Sequence, residues 1–469
     1  TLALVGSAMD VDHSRESNGD MVSVIASCGL LLHSLLAGLG SRVAGLARNA
    51  SEIAGEDPRR VAHSLKVGLA LALVSLVYFV TPLFNGLGVS TMWAVLTVVV
   101  VMEYTVGATL SKGLNRGFAT LVAACIAVGA HKLAELAERF GVQGEPISLT
   151  VFVFIIASAA TFLRFIPEIK AKYDYGVTIF ILTFSLVAVS SYRVEELIQL
   201  AHDRFYTIIV GVFICLLITV LVFPVWAGEG VHKLAVGNLD KLARFLEGME
   251  SECFGENTVT DNWEKRDFLQ EYKSVLNSKA TEDSLCTFAN WEPRHGKFRF
   301  RHPWSQYQKL GTLCRQCASS MEALASYVIT TTKTQYPAAA SPDLSSKVRK
   351  TCGEMSSHSA KALRQLATAT QTMTVPPPAN LAVSAAMTAA ECLRSELAEN
   401  AAILQVMHVA VTASLLADLV AQVKEIAECV DVLARHADFK NPEDARRDVA
   451  VDSQGRSGPL PDVVIQCAE

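Results

Sequence analysis

A chain of 469 residues that is 51% hydrophobic, 19% charged and of mean hydropathy +0.32 must segregate its apolar from its polar content, the profile of a membrane protein carrying a soluble part. The formal charge of -5, without a basic run or interleaved basic and aromatic tract, gives no footing for a nucleic-acid partner. Eleven cysteines, an odd number scattered along the chain, do not form a disulfide framework.

In chain order, residues 1–60 read as an N-terminal cytosolic segment. Within it Met21 to Ser41 is mostly apolar, but its small residues and His33 favour a helix lying on the membrane or packed on protein, with a span as the alternative. Residues 61–226 are dominated by about six apolar stretches, each near the twenty residues that cross hydrocarbon. They run near Val61 to Pro82, Thr91 to Leu110, Leu114 to Leu133, Pro146 to Ile166, Asp174 to Tyr192 and Arg204 to Trp226. Gly, Pro and charge mark the breaks between them, and "SKGLNRG" is expected to be a tight turn.

Basic residues concentrate before the first stretch, between the second and third, and between the fourth and fifth, which places both termini in the cytoplasm. From residue 227 to 440 the pattern becomes amphipathic helix with charged faces, expected to form a cytosolic helical bundle, and residues 441–469 read as a disordered polar tail. The fold class is all-α: a polytopic membrane protein followed by a helical soluble domain.

Five cations lie at or inside the apolar region: Lys66, Lys112, Arg116, Arg164 and Arg204. A charge near the bilayer centre costs about 2.5 to 3.5 kcal/mol even on the gentler insertion scale, so such residues face a wet cavity or a partner, unless they snorkel to headgroups. A set of cations is what an anion pathway requires. Carboxylates within the spans are nearly absent, Glu103 being the exception, and pairing with a cation such as Lys112 is the favoured role for it. On the other side, Glu195 and Asp203 share a helical face with Glu196 beside them; hard oxygen donors suit a trivalent cation, and an ordinary solvated helix start is the alternative. Cys314 and Cys317 resemble half a zinc site, but they sit in a helical pattern with no second pair and read as core. No catalytic fingerprint occurs, so an enzyme has little support.

Four long segments, "MWAVLTVVVVMEYTVGATLSKGLNRGFATL", "RFIPEIKAKYDYGVTIFILTFSLVAVSSYR", "FPVWAGE" and "WEPRHGKFRFRHPW", closely resemble the plant aluminium-activated malate transporters, and the chain looks like the malate-efflux members of cereal roots. The resemblance implies a homodimeric plasma-membrane channel in lipid, with six membrane helices per subunit and no cofactor. It also implies passive efflux of malate and inorganic anions, with aluminium as activator. The family's pore cations match Lys66, Lys112, Arg116, Arg164 and Arg204, and its external sensing acids match Glu195 and Glu196. Its Trp-Glu-Pro motif is Trp291, Glu292 and Pro293, which with Glu282 and Asp283 resembles a region implicated in activation; the topology makes that region a cytosolic gating element.

Overall fold

The computed structural model describes residues 38, 42, 44–55, 57–79, 92–139, 145–190, 194–254, 268–296, 298, 302–333, 342–376, 380–399 and 407–441. Most of the Met21 to Ser41 segment, the loop bearing Asn85 and tail residues 442–469 therefore lie outside the described residues. Two compact units divide the chain, residues 1–69 and 70–469.

In the first unit residues 44–55 are helical, and helix α1 (Pro58–Phe79) starts there and continues past the boundary. Proline at the first helical position loses no bond, because that N–H has no partner within a helix, and Asp57 Oδ1 accepts from the Arg59 N–H at 3.1 Å. In the second unit five more apolar helices follow: α2 (Met92–Val101), α3 (Val106–Arg139), α4 (Glu145–Leu163), α5 (Pro167–Ser190) and α6 (Val194–Leu221). Four of the six, α1, α3, α5 and α6, are long and apolar enough to cross a membrane, and α2 and α4 are shorter apolar helices. The protein is a polytopic helical membrane protein.

Helix limits differ from the hydropathy reading in one informative place. "SKGLNRG" is not a turn: it lies inside α3, and the chain breaks earlier, at Met102 to Thr105. Gly113 is kept in the helix because α6 crosses there; a Cβ on it would fall 2.8 Å from Val212 Cγ1. Likewise a Cβ on Gly211 of α6 would meet Thr97 Cβ of α2 at 2.9 Å. Small residues let helix axes approach where lipid supplies no hydrophobic drive for association. Alanine does the same along α3: Ala123 and Ala127 are fully buried against Phe184 and Val187 of α5. His131, which weakens the apolar run, has its Nε2 3.2 Å from the Ala188 carbonyl.

After a short irregular segment in which Phe223 takes φ +42, a conformation costly for a bulky residue, the second half begins with α7 (Ala227–Gly248) and a π-helical turn (Met249–Phe254). It continues through α8 (Phe268–Leu276), α9 (Lys279–Ala289), α10 (Trp304–Lys333), α11 (Pro342–Thr372), α12 (Asn380–Glu399) and α13 (Met407–His436). One hydrophobic core joins these helices, with Leu239, Leu242 and Leu246 of α7 meeting Leu310 and Met321 of α10, Leu363 and Leu366 of α11, and Leu416, Leu419 and Val423 of α13. Cys314 and Cys317 are fully buried in this core, and no metal-binding group of three His, Cys, Asp or Glu exists among the described residues.

Candidate functional site

Helices α2, α3, α5 and α6 surround a narrow cavity lined by Trp93, Arg116, Thr120, Thr183, Arg204 and Ile208, among others. Its free volume of ≈ 10 Å³ is about what one water needs, so no dicarboxylate fits without the helices parting. Two guanidinium groups project into it. Arg116 is 3% exposed and Arg204 8%. Neither meets a carboxylate among the described residues, and the Nε of each has no hydrogen-bond partner. What holds them is aromatic. The Arg204 guanidinium carbon lies 4.3 Å from the centre of the Trp93 ring, and Arg116 Nη1 donates to the Tyr175 hydroxyl at 3.4 Å.

Burying one cation without a counter-charge is unfavourable, and burying two that share a cavity is more so, because each raises the potential at the other. An anion between them removes that cost. An arrangement of this kind can accept an anion, and guanidinium groups suit carboxylates because their donors form a planar fork.

The other sequence-derived cations do not line this cavity. Lys112 stands one helical turn before Arg116 on α3 and is ion-paired with Glu103, the pairing expected from the sequence. Arg164, at the corner between α4 and α5, is not among the cavity-lining residues; it is half-exposed and holds Asp174 with two hydrogen bonds, at 2.8 and 3.1 Å. Lys66 is 1% exposed and belongs to the first unit. Glu195 and Glu196 lie in the first turn of α6, but their side chains fall outside the described residues. Asp203 is half-exposed beside His202, whose Nδ1 is 3.5 Å away.

A second constellation sits where the membrane helices meet the second half. Glu292 is 4% exposed, and its carboxylate accepts three backbone N–H groups: Oε1 takes Gly107 at 3.2 Å and Ala227 at 2.6 Å, and Oε2 takes Gly228 at 3.0 Å. These are the first turns of α3 and α7, whose N–H groups have no partner inside their own helices. The accounting at α3 is complete, since Val106 donates to the Val225 carbonyl, Ala108 to Thr105 Oγ1 and Thr109 to the Thr105 carbonyl. At α7 the local cap residue, Trp226, supplies no side-chain bond, and Glu292 serves instead. A carboxylate also complements the positive ends of both helices.

The rest of the Trp-Glu-Pro region supports this carboxylate. Trp226 stacks on His295 with ring centres 4.0 Å apart, and the Pro293 carbonyl lies 2.9 Å from His295 Nδ1. Trp291 is half-buried and Pro293 exposed. Upstream on α9, Glu282 is buried and bound to Arg315 at 2.7 Å, while exposed Asp283 accepts from Gln308 at 3.3 Å. Burial raises the Glu282 carboxyl above its ordinary range, with Arg315 pulling against it.

Sequence reasoning missed Trp93, Tyr175 and Asp174. Trp93 and Tyr175 are far in sequence from the arginines they hold. Asp174 is ten residues from Arg164, and a basic stretch between them concealed the pair.

The family described as aluminium activated malate transporter matches residues 51–406. The wheat protein "Aluminum-activated malate transporter 1" (Triticum aestivum) is 80% identical over 458 residues, 97% of this chain and 100% of the relative. From Arabidopsis thaliana, "Aluminum-activated malate transporter 2" is 45% identical over 407 residues, 85% of this chain and 79% of the relative. "Aluminum-activated malate transporter 12" of the same plant is 51% identical over 269 residues, 57% of this chain and 48% of the relative. With a helical membrane half, a buried pair of guanidiniums and a match over more than half its length, the chain belongs to the aluminium-activated malate transporter family.

Proposed function

We propose that the protein is a channel for malate and smaller anions in the plasma membrane, and that external aluminium opens it. The observation that carries this reading is the pair of buried guanidiniums, Arg116 and Arg204, sharing one cavity with no carboxylate partner among the described residues. A passing carboxylate supplies the missing counter-charge, and a cavity too narrow for it at rest describes a closed pathway. In this reading Lys112, one turn before Arg116 on α3, stands at the entrance on the side of the helical second half, and Lys66 and Arg164 are the remaining candidate pore cations.

Efflux needs no coupled ion. Each charge moved through about 100 mV is worth roughly 2.3 kcal/mol, so an inside-negative membrane drives a dianion outward. In this reading both termini and the second half are cytoplasmic, which the distribution of basic loops supports. Two copies around a two-fold axis would enlarge a pathway that one set of six helices encloses poorly.

Glu195, Glu196 and Asp203 are the candidate aluminium ligands, with the hard oxygen donors that such an ion takes. Asp203 precedes Arg204 on α6, so a shift of this helix end acts directly on the cavity. Activation requires that the ion bind the open arrangement more tightly than the closed one. At the other end of the pathway the gating element comprises Glu282, Asp283, Trp291, Glu292 and Pro293, with Glu292 the point of contact to α3.

The test is Arg116→Gln and Arg204→Gln, recorded under voltage clamp with malate inside and aluminium outside. Each should reduce malate current about ten-fold or more at unchanged surface abundance, as expected for losing a charged hydrogen-bond donor worth about 1.5 to 3 kcal/mol. Unchanged currents from both variants refute the pore. Reversal potentials that follow a co-transported ion rather than the anion alone would make the protein a carrier.

A further inference from the structure

Resting on the pore reading above, we propose that Tyr175 is a specificity-determining residue, passing carboxylates from Lys112 to Arg116. It sits on α5 in the stripe Tyr175, Ile179, Thr183, Leu186, at the spacing of one helical face, and the last three of these line the cavity. The facing stripe on α3 is Lys112, Arg116, Thr120, of which the last two line the same cavity. Tyr175 and Lys112 are thus the next layer outward, toward the end where α3 contacts the second half.

One aromatic side chain touches both cations. Lys112 Nζ lies 5.5 Å from the Tyr175 ring centre, and Arg116 Nη1 donates to the Tyr175 hydroxyl oxygen at 3.4 Å. Lys112 is held from its other side by Glu103. The hydroxyl oxygen accepts from Arg116 and its own hydrogen remains free to donate, since no acceptor lies opposite it among the described residues. A donor polarised by a guanidinium at the cavity mouth favours a directional acceptor. A carboxylate has two such oxygens; chloride has no preferred direction. Tyr175 therefore selects carboxylates over spherical anions, and its ring keeps Lys112 turned toward the path.

The experiment compares Tyr175→Phe and Tyr175→Leu with the unaltered full chain in excised patches, titrating malate and chloride on the side bearing the second half. Tyr175→Phe keeps the ring and deletes the hydroxyl. It should raise half-saturating malate three- to ten-fold and lower the malate-to-chloride permeability ratio, with chloride conductance and surface abundance unchanged. Tyr175→Leu should additionally lower conductance for both anions. Half-saturation and permeability ratio both unchanged in Tyr175→Phe overturn the proposal, as does an equal loss for malate and chloride. Should Tyr175→Phe reach the surface poorly, the permeability ratio, which does not depend on channel number, decides. Arg116→Gln in parallel separates the two readings: if it lowers malate current while Tyr175→Phe changes nothing, the pore stands and the role of Tyr175 falls.

Discussion

Glu292 accepts a hydrogen bond from the N–H of Gly107, 185 residues earlier in the chain, at 3.2 Å. That contact ties the second half to the start of the helix bearing Lys112 and Arg116, and the same carboxylate caps α7. Replacing it separates geometry from charge. Glu292→Ala leaves three buried N–H groups unsatisfied, each at about 1 to 3 kcal/mol, and should abolish current and lower thermal stability. Glu292→Gln keeps one accepting oxygen for Gly107 and Ala227 but turns an amide N–H₂ toward Gly228, so an intermediate loss is expected. Thermal midpoints in detergent and currents at matched surface abundance check the order; equal behaviour of the two variants would contradict it.

The junction also depends on two absent side chains. A Cβ on Gly228 would lie 2.6 Å from Trp304 Cη2, and one on Gly107 would collide with the Phe288 carbonyl. The obstacle at Gly107 is backbone, which cannot rotate away, whereas at Gly228 it is a ring that can shift. Gly107→Ala should cost more than Gly228→Ala, both within or above the roughly 1 to 3 kcal/mol typical of overpacking. Gly237→Ala, inside α7 with nothing within 4 Å of the added carbon, serves as the control and should raise the midpoint slightly, since glycine in a helix interior costs about 0.5 to 1 kcal/mol relative to alanine.

Trp93 supplies the only described partner of the Arg204 guanidinium among the described residues. Trp93→Phe retains a ring face and should preserve most malate current, while Trp93→Leu should release the guanidinium and change half-saturating malate by several-fold. A cation–π contact of about 1 to 2 kcal/mol in a desolvated site sets that scale. Identical titrations for Phe and Leu would show that the ring face is irrelevant.

Glu282 gives a pH signature. Its carboxyl is raised in the folded chain above the ordinary 4.5, burial being the largest cause. The folded chain thus holds this proton more tightly than the unfolded chain does, so the contribution of this group to stability increases as pH falls from neutral toward 4.5, and its charged form is a cost above its folded value. The thermal midpoint of the unaltered chain, relative to Glu282→Gln, should rise between about pH 7 and about pH 5. A difference independent of pH would place the folded value at its ordinary level.

The apolar stretches and the buried arginines were legible because both follow from composition: hydropathy marks α1 to α6, and a cation inside them has few bland explanations. Helix limits were less legible. Gly113 reads as a turn residue in isolation, and only the approach of Val212 shows why it sits in a helix. Polar residues 168–174 read as a loop, yet Pro167 starts α5 before them. Glu292 was visible as part of a motif, but its role as a cap depends on where α3 and α7 begin, which is tertiary information. The same holds for Trp93 and Tyr175, whose partners lie on other helices.

The long separation of Glu292 from the helices that it caps imposes an order on biosynthesis. When α3 and α6 have entered the bilayer, and even when α7 has left the ribosome, the amides of Gly107, Ala227 and Gly228 still await a carboxylate that has not been translated. Those three bonds thus form only after residue 292 has been made and α9 has packed beside α3 and α7, and a chain that stops short of it leaves these helix starts without their shared carboxylate.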